Sequence, residues 1–366
     1  MNESLFSEYL RLPIPSLILS IVEKMNEKTQ AQLPYLYRQW LTPRYSNDGR
    51  WASVLANYTR VAADVVALDS ELPLKSRDTI EVVSGEIPKL GEKLYLGEKQ
   101  IKEVYQMIAN QVPLTTIVDT VFADVPRVVD GVYERIEDMF LSELSSGVAI
   151  STRSNGTGVR IDVGYRNANK FGVVAAWYDS ANSDAPVTTV KALDDLKKVF
   201  DKADEDGNTI TDIFADDTWL NSFYANEQVR QQYAFQVGFV GSAIPLLNLE
   251  QAQAVLRSRY NVNLHRVNRS IKTELNGVKQ NHKPWAKGVA VFTCDTELGS
   301  LVWTPTVEST RRVPNVDYQT IDDFILVSRY SKNDPTREFT SSQALVVPIV
   351  NNVDRIYTLD CAAISA

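Results

Sequence analysis

The sequence predicts a mixed α+β fold, and three observations support this prediction. Between residues 118 and 144, apolar side chains recur every three or four positions, which is the pattern of one buried helix face. From residue 148 onwards, short runs rich in β-branched residues indicate strands. The chain has 366 residues, which is long for a single hydrophobic core, so about two domains are expected.

The long helix is predicted over residues 126–146, with a length of about 30 Å. Pro126 lacks the N–H group that an interior position needs, so it begins or kinks this helix, and Gly147 suits the left-handed cap that ends it. The apolar stripe consists of Val118, Val121, Phe122, Val125, Val128, Val129, Val132, Ile136, Met139, Phe140 and Leu144. The predicted polar face consists of Arg127, Asp130, Glu134, Arg135, Glu137, Asp138 and Glu143.

The same periodicities assign the other elements. Helices are predicted at 188–205 and 217–233, and strands at 148–151, 159–163, 210–214, 289–294, 301–303, 324–327 and 345–350. Residues 54–98 alternate in charge and hold few apolar side chains, so we expect an extended, exposed segment there. The first 50 residues are rich in aromatics and weakly periodic, which predicts packing on their own domain or on a neighbour.

The composition excludes several classes of protein. The net charge of the chain is −8, so the protein as a whole lacks the excess of basic residues that is typical of nucleic-acid-binding proteins. Two histidines and two cysteines are too few for zinc ribbons or a disulfide scaffold, and Cys294 and Cys361 are predicted to be free thiols. No apolar run reaches the roughly 20 residues that cross a bilayer, and the acidic Glu3 and Glu8 argue against a secretory signal.

A search for local chemical motifs finds no catalytic, cofactor-binding or metal-binding residues. Residues 202–207 look like the start of a calcium loop, but Lys202 and Ile213 stand where the loop needs carboxylates, so an acidic turn after a helix is expected. Residues 154–158 are glycine-containing but lack the lysine of a phosphate loop. His265 and His282 have no nearby cysteine partner for a metal. The result points to a structural or interaction protein.

Two segments of opposite charge stand out. Residues 194–217 hold nine acids and three lysines, a net charge of −6, and residues 257–287 hold eight bases and one acid, a net charge of +7. These segments can pair within the chain or between copies, or each can form a solvated face.

The order of several short motifs resembles the lambda-type major capsid protein E family of tailed bacteriophages. The matching stretches are 51–102, 132–150, Ile161–Gly164 followed by Trp177, 217–233, Leu298–Gly299, Asp334–Pro335 and Leu345–Pro348. No single motif is specific, and the resemblance rests on their co-linear order over residues 50–362.

The resemblance implies the capsid fold that tailed phages share with herpesviruses. It divides the chain into an N-terminal arm (1–55), an extended E-loop (56–98), a peripheral domain with the long spine helix (99–165), an axial domain (166–300) and return strands of both domains (301–366). The function it implies is self-assembly into the icosahedral head shell of a phage or prophage that encloses double-stranded DNA.

The resemblance also implies partners and a location. The main partner is the chain itself, in hexamer and pentamer capsomers and then the shell. Scaffold, portal and decoration proteins are further expected partners, packaged DNA touches the inner face without specificity, and no cofactor or membrane is involved. The protein is expected in the virion, after assembly in the host cytoplasm.

Subunit contacts are predicted at three places. The residues are Trp40 and Trp51 as anchors of the arm, Lys75, Arg77 and Lys89 in the E-loop, and Asp204, Asp206, Arg266, Arg269 and Lys272 in the charged segments. If the charged segments pair between subunits of a ring, reversing the charge of Arg266 and Arg269 should impair ring formation.

Three alternatives remain open at this point. An encapsulin-like shell would have the same fold and hold cargo in place of a genome. A soluble enzyme would use carboxylates in residues 194–217 and form a small oligomer. A nucleic-acid-binding module centred on residues 257–287 would bind in a salt-dependent way.

Overall fold

A computed structural model of the protein describes residues 3–10, 13–32, 35–56, 80–152, 158–241, 244–275 and 277–365. The chain forms two compact units, and each draws on three separate stretches of sequence. The first unit comprises residues 1–51, 85–139 and 300–349, and the second comprises residues 52–84, 140–299 and 350–366.

Helices and strands follow one another along the chain mostly in runs of two or more elements of the same kind. The helices are α1 (Ser7–Leu10), α2 (Ile14–Gln32), α3 (Leu36–Trp40), α4 (Glu98–Ala109), α5 (Leu114–Val121), α6 (Asp124–Ser146), α7 (Ala192–Glu205), α8 (Asp217–Ala225), α9 (Glu227–Gln236), α10 (Leu249–Tyr260) and α11 (Val307–Thr310). The first strands are β1 (Leu41–Tyr45), β2 (Arg50–Ala56), β3 (Ile80–Glu86), β4 (Lys89–Leu96), β5 (Val148–Thr152), β6 (Gly158–Asp162), β7 (Lys170–Val173), β8 (Tyr178–Asp179) and β9 (Ala185–Pro186). The remaining strands are β10 (Asp212–Ala215), β11 (Asn263–Arg266), β12 (Ile271–Leu275), β13 (Val278–His282), β14 (Val289–Thr293), β15 (Gly299–Thr304), β16 (Asp317–Ile321), β17 (Ile325–Asn333), β18 (Thr336–Val350) and β19 (Ile356–Ile364).

The first unit is built on a sheet of order β1-β15-β18-β17-β16, with β4 also paired to β18. Strands β17 and β18 form a long antiparallel hairpin in which Asn333 pairs with Thr336 beside the turn. Helix α2 lies against β16 and buries Ile18 and Val22. The buried face of α2 therefore belongs to the core of its own unit.

The second unit is built on a mixed sheet of order β11-β10-β14-β19-β7. Strands β10 and β11 are parallel, as are β19 and β7, and the pairings of β14 with β10 and β19 are antiparallel. Its core contains the rings of Trp177, Trp219 and Phe223, which are all fully buried, and Phe223 stacks on both tryptophans. These large aromatic side chains supply much of the apolar area that the unit buries.

The predicted long helix is present as α6, which begins two residues before Pro126. Proline fits the first turn because the first four N–H groups of a helix have no partner within it. Gly147 follows the helix with a φ of +78°, as the left-handed cap requires. The apolar stripe is divided between α5 and α6, because the chain leaves the helix at Phe122 and Ala123.

The predicted polar face of α6 is wrong at three positions, because Glu137, Asp138 and Glu143 are buried. Glu137 accepts hydrogen bonds from the backbone N–H groups of Leu36 and Tyr37 at 3.0 and 3.1 Å. It thereby satisfies donors at the start of α3 that have no partner within that helix. Periodicity alone does not reveal an acid that is buried to cap another helix.

Glu143 is buried in the second unit, and this burial predicts a pH-dependent stability. Its carboxylate accepts the Val350 N–H at 2.6 Å, and burial raises its pKa from 4.5 to about 8 despite this hydrogen bond. Because folding raises the pKa, the stabilising contribution is complete below pH 4.5 and is lost as the pH rises through about 8.

The Glu143→Gln variant should remove this pH dependence while keeping an acceptor for Val350. Chemical denaturation at a series of pH values should show the wild type losing about 3 kcal/mol or more relative to the variant between pH 5 and pH 9. The exposed Glu103 provides a matched control, and Glu103→Gln should follow the wild-type curve. Parallel curves for the wild type and Glu143→Gln would contradict this account.

Two other element predictions need correction. The helix predicted at 217–233 is two helices, α8 and α9, separated at Asn226. The Asn226 side chain accepts the Val229 N–H at 3.2 Å and donates to the Val190 carbonyl at 2.6 Å, so it caps a new helix. The helix predicted from residue 188 begins at Ala192.

The strands predicted at 324–327 and 345–350 are short parts of β17 and β18. Their remaining residues include buried polar side chains, which interrupt the apolar pattern. Residues 80–98 contain β3 and β4. Most residues of β4 are exposed, as predicted, but β4 is not a free extended segment, because it pairs over its full length with β18. Residues 57–79 and the glycine-containing stretch at 154–157 lie outside the described residues. No helix in the described part of the chain is long and apolar enough to span a membrane.

Candidate functional site

Strand pairing in the second unit brings the acidic and basic segments together within one chain. Strand β10 carries Asp212 and leads into Asp217 at the start of α8, and β11 runs parallel beside it. Asp212 therefore lies opposite Asn263, and Arg266 lies opposite Ala215. This register places side chains of both segments along the same edge of the sheet.

Two close polar contacts join the segments at this edge. Arg266 binds both carboxylate oxygens of Asp217, with Nε to Oδ1 at 2.5 Å and Nη2 to Oδ2 at 3.1 Å, and this hydrogen bonding raises the pKa of Arg266. Asp212 lies 2.7 Å from Nε2 of His265 and accepts from Asn263 at 3.2 Å. Burial opposes ionisation of Asp212, but the hydrogen bonds outweigh it and lower the pKa of this carboxyl.

Most of the remaining acids in residues 194–217 also have partners in the same chain. On α7, Lys202 lies 3.2 Å from Glu205 and 2.8 Å from Asp206, and Tyr357 also donates to Asp206. Lys197 pairs with Asp201. The other acids are bonded to Gln228 (Asp194), to Trp177 and Lys198 (Asp195), and to the N–H groups of Trp219 and Gly288 (Asp216). Five acids of the segment are exposed, and three of them, Asp204, Glu205 and Asp206, lie together at the end of α7.

The basic segment, in contrast, projects much of its charge to solvent. Strands β12 and β13 form a separate two-stranded sheet, from Ile271 opposite His282 to Leu275 opposite Val278. Every residue of β13 is exposed. We call residues 271–283 the basic hairpin, and its exposed lysines are Lys272, Lys279 and Lys283. A two-stranded sheet by itself is marginally stable in water, so such a hairpin gains from a surface to pack on.

The other predicted contact residues have varied surroundings. Trp51 is only 5% exposed and packs against Gly85, where an added Cβ would lie 2.8 Å from the indole nitrogen. Trp40 ends α3 and is half-buried, and Lys89 is exposed at the start of β4. Lys75 and Arg77 lie outside the described residues.

Asp204 and Asp206 are exposed at the end of α7, Arg269 is half-buried after β11, and Lys272 is exposed in β12. These four residues, like the other predicted contacts, stay predictions.

Two features of the structure were not found from the sequence. In the first unit, the ion pair of Arg329 and Glu338 is fully buried, with Nε to Oε1 at 2.7 Å. In the second unit, the loop between α9 and α10 exposes several large apolar side chains. A signal for the loop exists in the sequence, because no charged residue occurs between Arg230 and Glu250.

The described residues offer no obvious catalytic or metal centre. They contain no group of three or more His, Cys, Asp or Glu residues that could hold a metal ion. Cys294 and Cys361 are free and buried, and burial raises the pKa of the Cys294 thiol to about 12. A thiol with a raised pKa is a poor nucleophile at neutral pH.

A sequence model of the phage major capsid protein E family matches residues 52–358, which is most of the chain. The chain belongs to this family. It is therefore a structural shell protein of a tailed phage or prophage and not an enzyme, and its place is the virion. Copies of the chain assemble into the icosahedral head shell.

This capsid protein is similar to several solved structures. A protein assigned to the capsid of a prophage in Escherichia coli CFT073 matches with a TM-score of 0.56 at 11% identity, over 94% of this chain and 98% of that one. A phage-related protein from Bordetella bronchiseptica RB50 matches with a TM-score of 0.48 at 9% identity, over 94% and 97%. The capsid of cyanophage A-1(L) matches with a TM-score of 0.46 at 10% identity, over 89% and 91%. No curated protein sequence matches significantly.

The family match decides between the shell and enzyme alternatives, and nucleic-acid binding by residues 257–287 stays a prediction. It favours a phage shell over an encapsulin-like shell, and it excludes the carboxylate-using enzyme as the main function. The fold class predicted from the sequence is confirmed as well, because the mixed helix and sheet architecture matches that of the E. coli prophage capsid protein.

Proposed function

We propose that capsid subunits contact each other through the basic hairpin of one copy and the acidic end of α7 of the next. The hairpin carries three exposed lysines, and the end of α7 carries the exposed acids Asp204, Glu205 and Asp206, which outnumber their one neighbouring cation, Lys202. Opposite charges on two surfaces of one chain suit a head-to-tail contact, which repeats around a ring until it closes. The single observation that carries the proposal is the two-stranded hairpin with an entirely exposed β13.

Arg266 has a different role in this proposal. Its guanidinium already binds Asp217 of the same chain through two hydrogen bonds, so it holds β11 to the start of α8. The impaired ring formation expected on reversing Arg266 would then follow from a lost contact within the subunit. This refines the prediction that both Arg266 and Arg269 face a neighbour.

A charge swap tests the role of Arg266. We expect Arg266→Glu to place two carboxylates side by side and to reduce the yield of shells, as counted by electron microscopy after gel filtration. The double variant Asp217→Arg/Arg266→Glu restores an opposite pair within the chain and should recover most of the yield. A folded double variant that forms no shells would place Arg266 in the interface between subunits and contradict this assignment.

The arrangement of the whole subunit in the shell follows the predicted segments. Residues 1–55 act as the arm and 56–98 as the E-loop, whose part before β4 lies over an adjacent subunit, because β4 pairs with β18 of its own subunit. Residues 99–165, 166–300 and 301–366 make up the peripheral and axial domains. Lys75, Arg77 and Lys89 of the E-loop, together with Trp40, contribute to contacts with neighbours, whereas Trp51 is buried in its own subunit. The pairing of β2 with β3 in a two-stranded sheet supports an extended E-loop.

The shell encloses double-stranded DNA and works with scaffold, portal and decoration proteins. Assembly takes place in the host cytoplasm before the virion leaves the cell. The net charge of −8 favours enclosure without tight binding, because an acidic subunit repels the phosphate backbone. Nuclease-treated particles that still release full-length DNA on heating would support this, and particles without nucleic acid from an induced host would contradict it.

A further inference from the structure

One face of the sheet in the first unit gathers positive charge. Strand pairing places Lys332 of β17 opposite Arg337 of β18, and Lys93 lies on the neighbouring strand β4. Side chains alternate between the two faces of a strand and paired residues share a face, so these three cations lie on the same side of the sheet. Two aromatic rings lie on that side as well. We call this surface the cationic face, and its members are Lys93, Tyr95, Lys332, Arg337 and Phe339.

The cations of this face lie over its two rings. The Nζ atoms of Lys93 and Lys332 are 5.1 and 5.9 Å from the centre of the Phe339 ring, and the Arg337 guanidinium is 4.3 Å from the centre of the Tyr95 ring. The centres of the two rings are 5.9 Å apart. Cation–π attraction therefore holds three positive charges close together on one small surface.

No acid of the described residues forms an ion pair with any of these three cations. The acids on the same strands lie on the opposite face, where Glu92 lies against Gly131 of α6 and Glu338 pairs with Arg329 in the interior. Asp334 is in the turn, beyond the paired residues of β17 and β18. Because three uncompensated like charges repel one another, an anion bound over the cationic face relieves this repulsion and is attracted by all three.

The chemistry of the cationic face favours carboxylates of a protein chain over duplex DNA. A guanidinium stacked on a ring, as that of Arg337 is on Tyr95, keeps its N–H groups available for two parallel hydrogen bonds to a carboxylate. Three cations neutralise only about three phosphates, whereas tight binding to the DNA backbone uses about 6–10 such contacts. The net charge of −8 also repels a polyanion as dense as DNA.

We propose that the cationic face binds a short acidic segment of a separate protein that joins the shell. The inference rests on the proposed function, because there the acidic end of α7 of each copy is occupied by the basic hairpin of the next. The three neighbouring acids of the chain itself are then unavailable to this face. Tyr95 is 48% exposed and adds apolar contact area beside the charges.

An acidic peptide serves as the probe for this inference. Wild-type shells should bind fluorescein-labelled octaglutamate, as measured by fluorescence anisotropy, and should not bind octaglutamine. The variant Lys93→Gln/Lys332→Gln/Arg337→Gln should weaken the binding of octaglutamate about tenfold or more. As a matched control, Lys24→Gln/Lys99→Gln/Lys102→Gln removes the same charge from exposed lysines of the same unit and should bind like the wild type.

Two results of the binding experiment would overturn the inference. One is the absence of octaglutamate binding to wild-type shells, or an equal loss of binding in the two triple variants. The other is a short DNA duplex that binds more tightly than the peptide and is lost in the first variant, because this would assign the face to nucleic acid. Since Arg337 is half-buried, Lys93→Gln/Lys332→Gln provides a second variant with changes only at exposed residues, and it should weaken peptide binding about threefold or more.

The assembly threshold separates this inference from the hairpin contact. The variant without the three cations should form shells at the wild-type concentration threshold, because copies of the chain do not use this face on one another. A raised threshold with an unchanged melting temperature would show that a second copy covers the face, and it would overturn the inference. Normal assembly after charge reversal of the basic hairpin would overturn the hairpin contact alone, and weaker peptide binding by the first variant would still support the cationic face.

Discussion

We expect Arg329→Met to lower the free energy of unfolding of the subunit by about 3–5 kcal/mol. Arg329 and Glu338 are both fully buried on the neighbouring strands β17 and β18, and methionine leaves the carboxylate without its cation. An uncompensated charge in the interior is costly because water cannot solvate it. Urea titration followed by tryptophan fluorescence measures the effect.

The same pair holds the N-terminal segment in place. Glu338 accepts hydrogen bonds from the Ser4 hydroxyl and, at 3.1 Å, from the Leu5 N–H. On the other side, Arg329 donates to the Val121 carbonyl at 3.0 Å. Loss of the pair should therefore also release the segment before α2, which limited proteolysis would detect as faster cleavage near the N-terminus.

A double variant serves as the control for this prediction. Arg329→Met/Glu338→Gln removes both charges and leaves an amide oxygen for Ser4 and Leu5, so it should be more stable than Arg329→Met alone. A double variant less stable than both single variants would show that the pair does not act as a unit. An Arg329→Met protein as stable as the wild type would contradict the account of the buried pair.

The second large effect is expected at the basic hairpin. The triple variant Lys272→Glu/Lys279→Glu/Lys283→Glu should raise the protein concentration needed for shell formation by about 10–100-fold. In the wild type, the three lysines attract the acidic end of α7 in the next subunit. In the variant, three carboxylates face that same acidic end and repel it. Light scattering over a concentration series measures the threshold.

A variant that preserves charge separates electrostatics from shape. Lys272→Arg/Lys279→Arg/Lys283→Arg keeps all three positive charges on the exposed hairpin, so it should assemble near the wild-type threshold. Added salt should also raise the threshold of the wild type, since exposed ion pairs are screened. If the glutamate variant assembles at the same concentration threshold as the wild type, the basic hairpin does not contribute to the contact between subunits.

The long helix could be predicted because its apolar stripe repeats with the helical period over many turns. The break between α8 and α9 at Asn226 could not be predicted, because the residues around it carry a continuous helical pattern. The helix is interrupted by two contacts of the Asn226 side chain, which donates to the Val190 carbonyl and accepts from the Val229 N–H. The full length of β17 and β18 was missed for a related reason. Arg329 and Glu338 look like surface residues in the sequence, and their pairing depends on the register of the two strands.

The charged segments could be recognised from composition, but their internal pairing could not. Arg266 meets Asp217 because β11 lies parallel to β10, and these strands are separated in sequence by three helices. The sequence therefore shows where the two oppositely charged segments lie along the chain. It leaves open whether they pair within a subunit or between subunits. The exposed apolar side chains between α9 and α10 were missed, because the absence of charge over residues 231–249 does not by itself tell an exposed apolar run from a buried one.

Electron microscopy of the purified protein at increasing concentration tests the central claim most directly, namely that the function of this chain is to build a closed shell from its own copies. We expect icosahedral particles, or rings and tubes made of the same subunit contacts. A uniform population of monomers or small oligomers at every concentration would contradict the account.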